Sequence, residues 1–287
     1  MGLMGSPMAV NVLKTGNPVT VWNRSPDADG VKTAAEAGCR VAPRVEDAIA
    51  QADVVFSCLT DGAALDAVFT EAVLTHLKAG ALLVDCSTIG PAAAKRLAAR
   101  VVTAGGRFVD APVTGGDVGA RAGTLTFMVG GAVEDVDFVK PLCLKMGKKV
   151  VHAGPVGMGQ SLKLVNQLLV AENLLAVAEA FEAGAAMGLD PQLVIDGCGE
   201  GAGGSWQLNN LGPRIARKDD NPGFRVAHLH KDLSLLREEL AGGGESLMCF
   251  PSVARAFAIM TTGSLQLGQR GTQSLGIHLR EVRGAMD

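Results

Sequence analysis

The chain has 287 residues, of which 48% are hydrophobic and 19% are charged. This is the composition of a compact globular protein with a substantial core, and it excludes extensive disorder. The formal net charge is -3, and Lys and Arg do not cluster into the basic stripe that nucleic acids require. We therefore expect a small-molecule ligand and no nucleic-acid partner.

The cysteines and the apolar runs indicate the compartment. Six cysteines are scattered without a CxxC pair, which is typical of reduced, buried thiols and argues against disulfides and a zinc site. No apolar run has transmembrane length free of charges and glycines, and the N-terminus lacks the pattern of a signal peptide. We expect a cytoplasmic protein with no metal ion and no membrane partner.

The chain opens on a glycine-rich turn, in which Gly2 and Gly5 lead directly into the helix-compatible stretch 8–13. Such a turn lets the backbone approach a pyrophosphate, which then lies at the positive N-terminus of the following helix. It normally follows a β-strand. An ordinary turn without a ligand is the alternative, because Gly-x-x-Gly by itself is a weak signal.

Short β-rich runs alternate with segments of helical spacing through the first half of the chain. The runs are VTVWN (19–23), CRVA (39–42), DVVFSCL (53–59), ALLVDCS (81–87), RFVDAPV (107–113), LTFMVGG (125–131) and KVVHAG (149–154). This alternation predicts an α/β fold with a doubly wound, mostly parallel, Rossmann-type sheet.

The residues after the second strand of such a sheet contact the ribose of a dinucleotide. An NAD site usually has Asp or Glu there, whereas this chain has Asn23, Arg24 and Ser25. A guanidinium with neighbouring polar groups suits the 2′-phosphate of NADP. The pattern favours NADP over NAD, and the alternative for Arg24 is a solvated surface arginine.

The second half of the chain is predicted to be helical. GPVG at 154–157 marks a boundary, and the stretch 160–187 is apolar on nearly every side, as in a buried helix. We therefore predict a dinucleotide-binding domain at 1–155 and an all-helical domain at 156–287.

That helix carries a polar stripe. Lys163, Asn166, Gln167 and Asn173 share one side at about 100° per residue. A lysine on an apolar helix is costly unless it is paired or used. The alternatives are that Lys163 extends to the surface or pairs with a carboxylate, and that Asn166 and Gln167 are packing residues.

The order and spacing of several motifs resemble the β-hydroxyacid dehydrogenases, the family of 3-hydroxyisobutyrate dehydrogenase, tartronate semialdehyde reductase and the glyoxylate/succinic semialdehyde reductases. The motifs are MGLMGSPMAVNVL, VTVWNRS, DCSTIGP, DAPVTGG, GTLTFMVGG, GMGQSLKLVNQ and HKDL. The resemblance covers nearly the whole chain. It implies a dinucleotide-binding domain, a long interdomain helix and an all-helical C-terminal domain that forms homodimers or homotetramers.

The resemblance also implies residue roles. Lys163 is the general acid and base, which requires a depressed pKa. Thr114, Gly115 and Gly116 bind the substrate carboxylate, and Asn166 or Gln167 orients the substrate, since the family commonly has Asn where Gln167 stands. The cofactor-binding positions are Gly2, Leu3, Met4, Gly5, Asn23, Arg24, Ser25, Leu59, Thr60, Thr88, Phe224 and Lys231. The alternatives to these ligand-binding roles are purely structural. They are a connection at 114–116 that binds no ligand, a helix N-cap at Thr88 and surface pairing of Lys231.

The chain departs from the family at its first residue. The family motif GLGxMG follows an apolar strand, and here Met1 stands where the leucine after the first glycine belongs. We expect the natural protein to be longer and active. The alternatives are a short form with an impaired cofactor site and a strand supplied by another chain.

These observations predict an oxidoreductase that transfers a hydride between NADP(H), with NAD possible, and a small 3-hydroxy acid or semialdehyde. One alternative is imine reduction on the same scaffold, but the imine reductases usually replace the lysine that matches Lys163. The other is a non-catalytic dinucleotide-binding or scaffolding homologue.

Overall fold

The computed structural model describes residues 1–240, 247–262 and 265–286. The chain divides into two compact units, Met1–Lys163 and Leu164–Asp287. One long helix begins in the first unit and continues into the second. The functional domain limits at 1–155 and 156–287 stay a prediction.

The first unit alternates strands and helices. Its strands are β1 (Thr20–Val21), β2 (Arg40–Val41), β3 (Val54–Ser57), β4 (Leu82–Asp85), β5 (Arg107–Asp110), β6 (Val113–Thr114), β7 (Leu125–Gly130) and β8 (Gly147–Gly154). Its helices are α1 (Gly5–Leu13), α2 (Asp29–Glu36), α3 (Val45–Ile49), α4 (Gly62–Val68), α5 (Glu71–Leu74), α6 (Pro91–Thr103), α7 (Gly116–Ala122) and α8 (Val133–Met146). Each predicted β-rich run contains a strand, and RFVDAPV contains two, with proline between them.

The sheet is mostly parallel, which confirms the predicted fold class. Strands β3, β4 and β5 are parallel neighbours; β7 is antiparallel to β5 and β6 and parallel to β8. Strands β1 and β2 form a separate parallel pair. Among the described residues no strand joins β1 to β3, so the sheet consists of two parts.

Both faces of the larger sheet are covered, as parallel sheets require. Every residue of β4 is buried. Leu82 and Val84 belong to one hydrophobic cluster, together with Val109, whereas Leu83 and Phe108 belong to another. Alternating side chains thus pack on opposite faces, and the polar residues are left at the carboxyl ends of the strands.

In the described ranges, every element after β8 is a helix, which confirms the helical second half. The helices are α9 (Met158–Ala186), α10 (Pro191–Cys198), α11 (Trp206–Asn210), α12 (Gly212–Ala216), α13 (Val226–Glu239), α14 (Phe250–Thr262), α15 (Ser274–Ile277) and α16 (Leu279–Gly284). The core of the second unit includes Leu174, Leu229 and Phe257.

The prediction that this apolar stretch forms a buried helix is wrong for one face of α9. Val165 and Leu169, four residues apart, are 51% and 56% exposed. Packing within the chain covers only part of the helix circumference, so these apolar side chains face outward. Within the described residues, α9 is also the one helix long and apolar enough to cross a membrane by length and composition, a test that core helices of soluble proteins pass as well.

Candidate active site

A buried carboxylate fixes the start of α9 to the end of β5. Asp110, the last residue of β5, is fully buried and accepts hydrogen bonds from the backbone N–H groups of Gly157 (2.7 Å) and Gln160 (2.8 Å). Backbone N–H groups at the start of a helix lack intrahelical partners. Burial raises the pKa of Asp110 above its ordinary value, although the hydrogen bonds from the backbone of Gly157 and Gln160 act in the opposite direction. Asp110 therefore caps α9 from a neighbouring strand.

The side chain of Gln160 joins the same helix turn to the loop after β4. Its Oε1 accepts hydrogen bonds from the backbone N–H groups of Ile89 (3.0 Å) and Gly90 (3.2 Å). Its Nε2 donates to the carbonyl oxygen of Ser87 at 2.8 Å. This loop contains Thr88, a predicted cofactor residue that is half-buried.

A second buried aspartate lies at the end of β4. Asp85 Oδ1 accepts hydrogen bonds from the hydroxyls of Ser57 (2.8 Å) and Ser87 (2.7 Å). The Ser87 hydroxyl in turn accepts from the backbone N–H of Leu59 (2.8 Å), so the loops after β3 and β4 are connected. Burial raises the pKa of Asp85 to about 6, although the serine hydrogen bonds act in the opposite direction.

Lys163 lies one helical turn after Gln160 on α9, in the first unit. Its exposed fraction is only 8%, so the side chain does not extend to the surface as one alternative had it. Burying an ammonium group costs free energy, because the charge loses its hydration. Buried ionisable groups are typical of sites where protons are transferred. Its catalytic role stays a prediction.

The predicted substrate residues lie at the connection from β6 to α7. Thr114 ends β6, and Gly115 and Gly116 follow with φ values of 126° and 63°. Successive backbone N–H groups in a turn can form a concavity that binds anions. Thr114 is half-buried, and both glycines are exposed. The substrate role of these residues stays a prediction.

A cavity of about 550 Å³ lies at the carboxyl ends of β1 and β2. Its lining includes Trp22, Asn23, Arg24 and Arg44. Arg44 is held by Asp47 in a pair of hydrogen bonds at 2.8 and 3.0 Å, whereas Arg24 is exposed. Ser25 is exposed, and its carbonyl oxygen accepts a hydrogen bond from Asn23 Nδ2. This cavity therefore brings together the predicted cofactor residues Asn23 and Arg24.

The predicted glycine turn precedes α1. The backbone N–H of Ser6 donates to the carbonyl of Gly2 at 3.2 Å, and Leu3 is 54% exposed. Met4 is the N-cap residue of α1, and Gly5 begins the helix. The α-amino group of Met1 donates to Asn23 Oδ1, which brings this turn to the end of β1. Leu59 and Thr60 lie in the loop after β3.

The other predicted site residues belong to the second unit. Gln167 is buried, and its amide accepts from Asn166 (2.8 Å) and donates to Asp232 (2.6 Å). Lys231 Nζ lies 2.9 Å from the carboxylate of Asp232, whose side chain is only 3% exposed, so this is not the surface pairing of the alternative. Phe224 is half-buried, with its ring 6.1 Å from that of His228.

Asp85, Asp110 and Gln160 are not among the predicted site residues, although the sequence contains a signal for each. Both aspartates end apolar strand runs, LLVD and RFVD, where a buried charge is unusual. Gln160 lies at helical spacing from Lys163 on the predicted polar side of α9. No group of three or more His, Cys, Asp or Glu side chains in the described part of the chain is placed to hold a metal ion.

Comparison with known proteins agrees with this architecture. The family described as "NAD binding domain of 6-phosphogluconate dehydrogenase" matches residues 1–154, and that described as "NAD-binding of NADP-dependent 3-hydroxyisobutyrate dehydrogenase" matches residues 157–275.

Similar proteins cover most of the chain. An uncharacterized oxidoreductase from Synechocystis sp. is 42% identical over 98% of this chain and 97% of its own. The NAD-dependent L-serine dehydrogenase of Pseudomonas aeruginosa is 36% identical over 86% of this chain and 85% of its own. The structure of Mycobacterium tuberculosis 3-hydroxyisobutyrate dehydrogenase with L-serine has a TM-score of 0.86 at 30% identity, covering 97% of this chain and 96% of its own. The chain therefore belongs to the β-hydroxyacid dehydrogenase family of NAD(P)-dependent oxidoreductases.

Proposed function

We propose that this chain is an NADP-preferring dehydrogenase that interconverts a short 3-hydroxy acid and its semialdehyde, with Lys163 as general acid and base. The observation that carries the proposal is the burial of Lys163 on α9, in a chain of this family. An ammonium group that packing withdraws from water is suited to donate a proton at a carbonyl oxygen.

A bound nicotinamide dinucleotide would supply the hydride in the reductive direction and accept it in the oxidative direction. In the reductive direction, Lys163 donates a hydrogen bond to the substrate carbonyl and transfers a proton to the oxygen as the hydride reaches the carbon. In the oxidative direction, the neutral amine takes the proton from the hydroxyl.

The substrate carboxylate is proposed to bind at the turn formed by Gly115 and Gly116. Their positive φ values, together with the half-buried hydroxyl of Thr114, support an anion site. Serine and 3-hydroxyisobutyrate, after which the similar dehydrogenases are named, are both small acids with a hydroxyl on the third carbon. Either Asn166 or Gln167 is proposed to orient this substrate.

The preference for NADP is proposed from Arg24. It is exposed and lines the cavity at the ends of β1 and β2, and no carboxylate stands at residues 23–25. A 2′-phosphate there would bind the guanidinium, whereas the 2′-hydroxyl of NAD lacks this interaction. The glycine turn 2–5, the loops with Leu59, Thr60 and Thr88, and the residues Phe224 and Lys231 are proposed to complete the cofactor site.

The decisive test measures hydride transfer with 3-hydroxyisobutyrate and L-serine, using NADP and NAD. Lys163→Met keeps an apolar side chain of similar length, and we expect it to lower kcat by about 10²- to 10⁴-fold. Lys140→Met replaces an exposed lysine on α8 and serves as the matched control. Dinucleotide binding without a lysine-dependent rate would instead support the non-catalytic alternative.

Fluorescence titration with NADPH and NADH tests the cofactor preference. Arg24→Ala is expected to weaken NADPH binding by at least about tenfold and to leave NADH binding unchanged. Arg40→Ala removes an exposed arginine on β2 outside the cavity lining and is the control. Tighter binding of NADH to the wild-type chain would reverse the preference.

We also infer a cytoplasmic homodimer or homotetramer. The exposed pair Val165 and Leu169 on α9 supports a subunit contact, because adjacent exposed apolar side chains are typical of such surfaces. Light scattering after size exclusion is expected to give a multiple of the 29.5 kDa chain mass. A monomer at micromolar concentration would contradict this inference.

A further inference from the structure

The side chain of Gln160 makes an unusual set of contacts for a helical residue. It is fully buried, and its three hydrogen bonds all reach residues 70 to 73 positions earlier in the chain. A glutamine amide has two donor hydrogens and one acceptor oxygen, so both of its polar atoms are engaged. The side chain therefore connects two separate segments instead of supporting its own helix.

One of these segments is the loop after β4. Gln160 binds its backbone at Ser87, Ile89 and Gly90, on either side of Thr88. The Ser87 hydroxyl also accepts from the backbone N–H of Leu59, which extends the connection to the loop after β3. Two loops that carry predicted cofactor residues are thus joined to one turn of α9.

The other segment, the first turn of α9, has little freedom to shift. Asp110 holds it through Gly157 and Gln160. A Cβ atom added at Gly159 would lie 2.4 Å from the carbonyl oxygen of Met128. Such a distance is far below van der Waals contact, so the helix backbone packs directly on the sheet backbone.

Lys163 follows Gln160 by three residues, about 4.5 Å along the helix axis and on nearly the same face. Any displacement of this turn relative to the loop therefore moves the ammonium relative to Thr88. Proton and hydride transfer depend steeply on such distances, and a misplacement of about 1 Å lowers rates by about 10²-fold.

We propose that Gln160 is a positioning residue, which fixes the spacing between the loop that carries Thr88 and the helix turn that carries Lys163. The proposal rests on the proposed function, because it assigns the acid–base role to Lys163. Gln160 touches neither substrate nor cofactor in this role. It acts through the backbone of Ser87, Ile89 and Gly90.

The first variant is Gln160→Met, which keeps the approximate volume and removes all three hydrogen bonds. We expect kcat to fall by about 10- to 100-fold while the KM for the hydroxy acid and the Kd for NADPH stay within about threefold. Ser161→Ala is the matched control, since the Ser161 hydroxyl donates to the carbonyl of Gly157 within the same turn. It is expected to retain the wild-type kcat.

The second variant, Gln160→Glu, separates positioning from simple packing. A protonated carboxyl still accepts from the N–H groups of Ile89 and Gly90 and donates to the carbonyl of Ser87, but an ionised one has no hydrogen to donate. The ratio of variant to wild-type kcat is therefore expected to rise toward unity as the pH falls from 8 to 5.5.

Other titratable groups surround this position. They are Asp110 at the end of β5, Asp85 at the end of β4, Lys95 on α6, and Lys163 on α9 itself. All are present in both proteins, so their own effects on the rate divide out of the kcat ratio to a first approximation. A ratio that does not change with pH would contradict the positioning role.

Hydrogen exchange provides a readout that needs no activity. In Gln160→Met the amides of Ile89 and Gly90 lose their acceptor and are expected to exchange at least about tenfold faster than in wild type. The amide of Ala94, which donates to Gly90 in α6, is expected to be unchanged. Unchanged exchange at Ile89 and Gly90, or an unchanged kcat in Gln160→Met, would overturn the proposal.

A different result would identify a failure of the proposed function itself. The acid–base assignment fails if the wild-type chain turns over no hydroxy acid, or if Lys163→Met turns it over at the wild-type rate. Either result is independent of what Gln160 does. In that case the exchange rates still test whether Gln160 holds the amides of Ile89 and Gly90. Its role in catalysis is rejected together with the assignment of Lys163.

Discussion

The ends of β4 and β5 hold two buried aspartates in different ways. Asp85 and Asp110 are paired in register on adjacent parallel strands, and both are fully buried. Both oxygens of Asp110 accept backbone N–H groups from the start of α9. Asp85 receives the hydroxyls of Ser57 and Ser87 on one oxygen, and its Oδ2 has no hydrogen-bond partner among the described residues.

Burial raises the pKa of both carboxyl groups, and the two aspartates differ in the donors that they accept from. A helix N-terminus offers fixed donors and a favourable dipole, which stabilise a negative charge. A serine hydroxyl can also accept a hydrogen bond while it donates one, and the hydroxyl of Ser87 accepts from the backbone N–H of Leu59. The end of β5 is therefore a structural anchor for α9, whereas the carboxyl at the end of β4 has one oxygen without a described partner and a pKa raised to about 6.

The largest effect is expected from removing the anchor. Asp110→Ala leaves the buried N–H groups of Gly157 and Gln160 without their acceptor, at about 1–3 kcal/mol for each. We expect the free energy of unfolding to fall by about 4 kcal/mol in chemical denaturation. Asp110→Asn keeps one acceptor oxygen and is expected to lose about half as much. Equal stability of the wild type, Asp110→Ala and Asp110→Asn would show that Asp110 does not anchor α9. The contrast with Asp85 would then fail.

A somewhat smaller loss is expected from Gly159→Ala. The new Cβ would lie 2.4 Å from Met128 O and 2.8 Å from Asp110 Oδ2, and backbone cannot move aside easily. Overpacking of this kind costs about 3 kcal/mol. Gly197→Ala in α10 is the control, because a Cβ there meets nothing within 4 Å. It is expected to stabilise the protein by about 0.5 kcal/mol or more.

The end of β4 is tested by Asp85→Asn. The pKa of Asp85 is raised to about 6 from 3.8, so between these values the folded state retains a proton that the unfolded state has lost. The contribution of Asp85 to stability must then fall as pH rises, by about 2 kcal/mol between pH 4 and pH 7.

The comparison is between denaturation profiles at several pH values. Asp85→Asn is expected to lack this decrease, whereas Asp29→Asn, which changes a fully exposed carboxylate, should follow the wild-type profile. A wild-type stability that rises over the same range relative to Asp85→Asn would show that Asp85 is ionised in the folded state.

The smallest effect is expected from Ser57→Ala. It removes one donor to Asp85 and costs about 1 kcal/mol near neutral pH, where the carboxylate needs that hydrogen bond. The cost should shrink below pH 5, because the protonated carboxyl depends less on the donor. A cost that is independent of pH would assign Ser57 to packing alone.

Much of the fold follows from local patterns. The β-rich runs at 53–59, 81–87 and 107–113 become β3, β4 and β5, because strand-forming residues bounded by turns are readable from spacing alone. The same holds for α9, whose apolar stretch extends over many turns. The paired glycines at 115 and 116 also indicated a turn before its geometry was known.

The contacts of the candidate site required the tertiary structure. Lys163 and Gly2 were predicted from motifs, but the bonds from Asp110 to Gln160 and from Gln160 to Ser87 join residues 50 and 73 positions apart. No local pattern specifies which donor a buried carboxylate meets, because that depends on how strands and helices pack. The exposed face of α9 and the division of the sheet into two parts were decided in the same way.

The sequence by itself determined which segments are strands or helices and which residue types stand at their ends, because periodicity and turn chemistry are local. Only the tertiary structure decided which of those ends meet, because packing brings together residues that are distant along the chain.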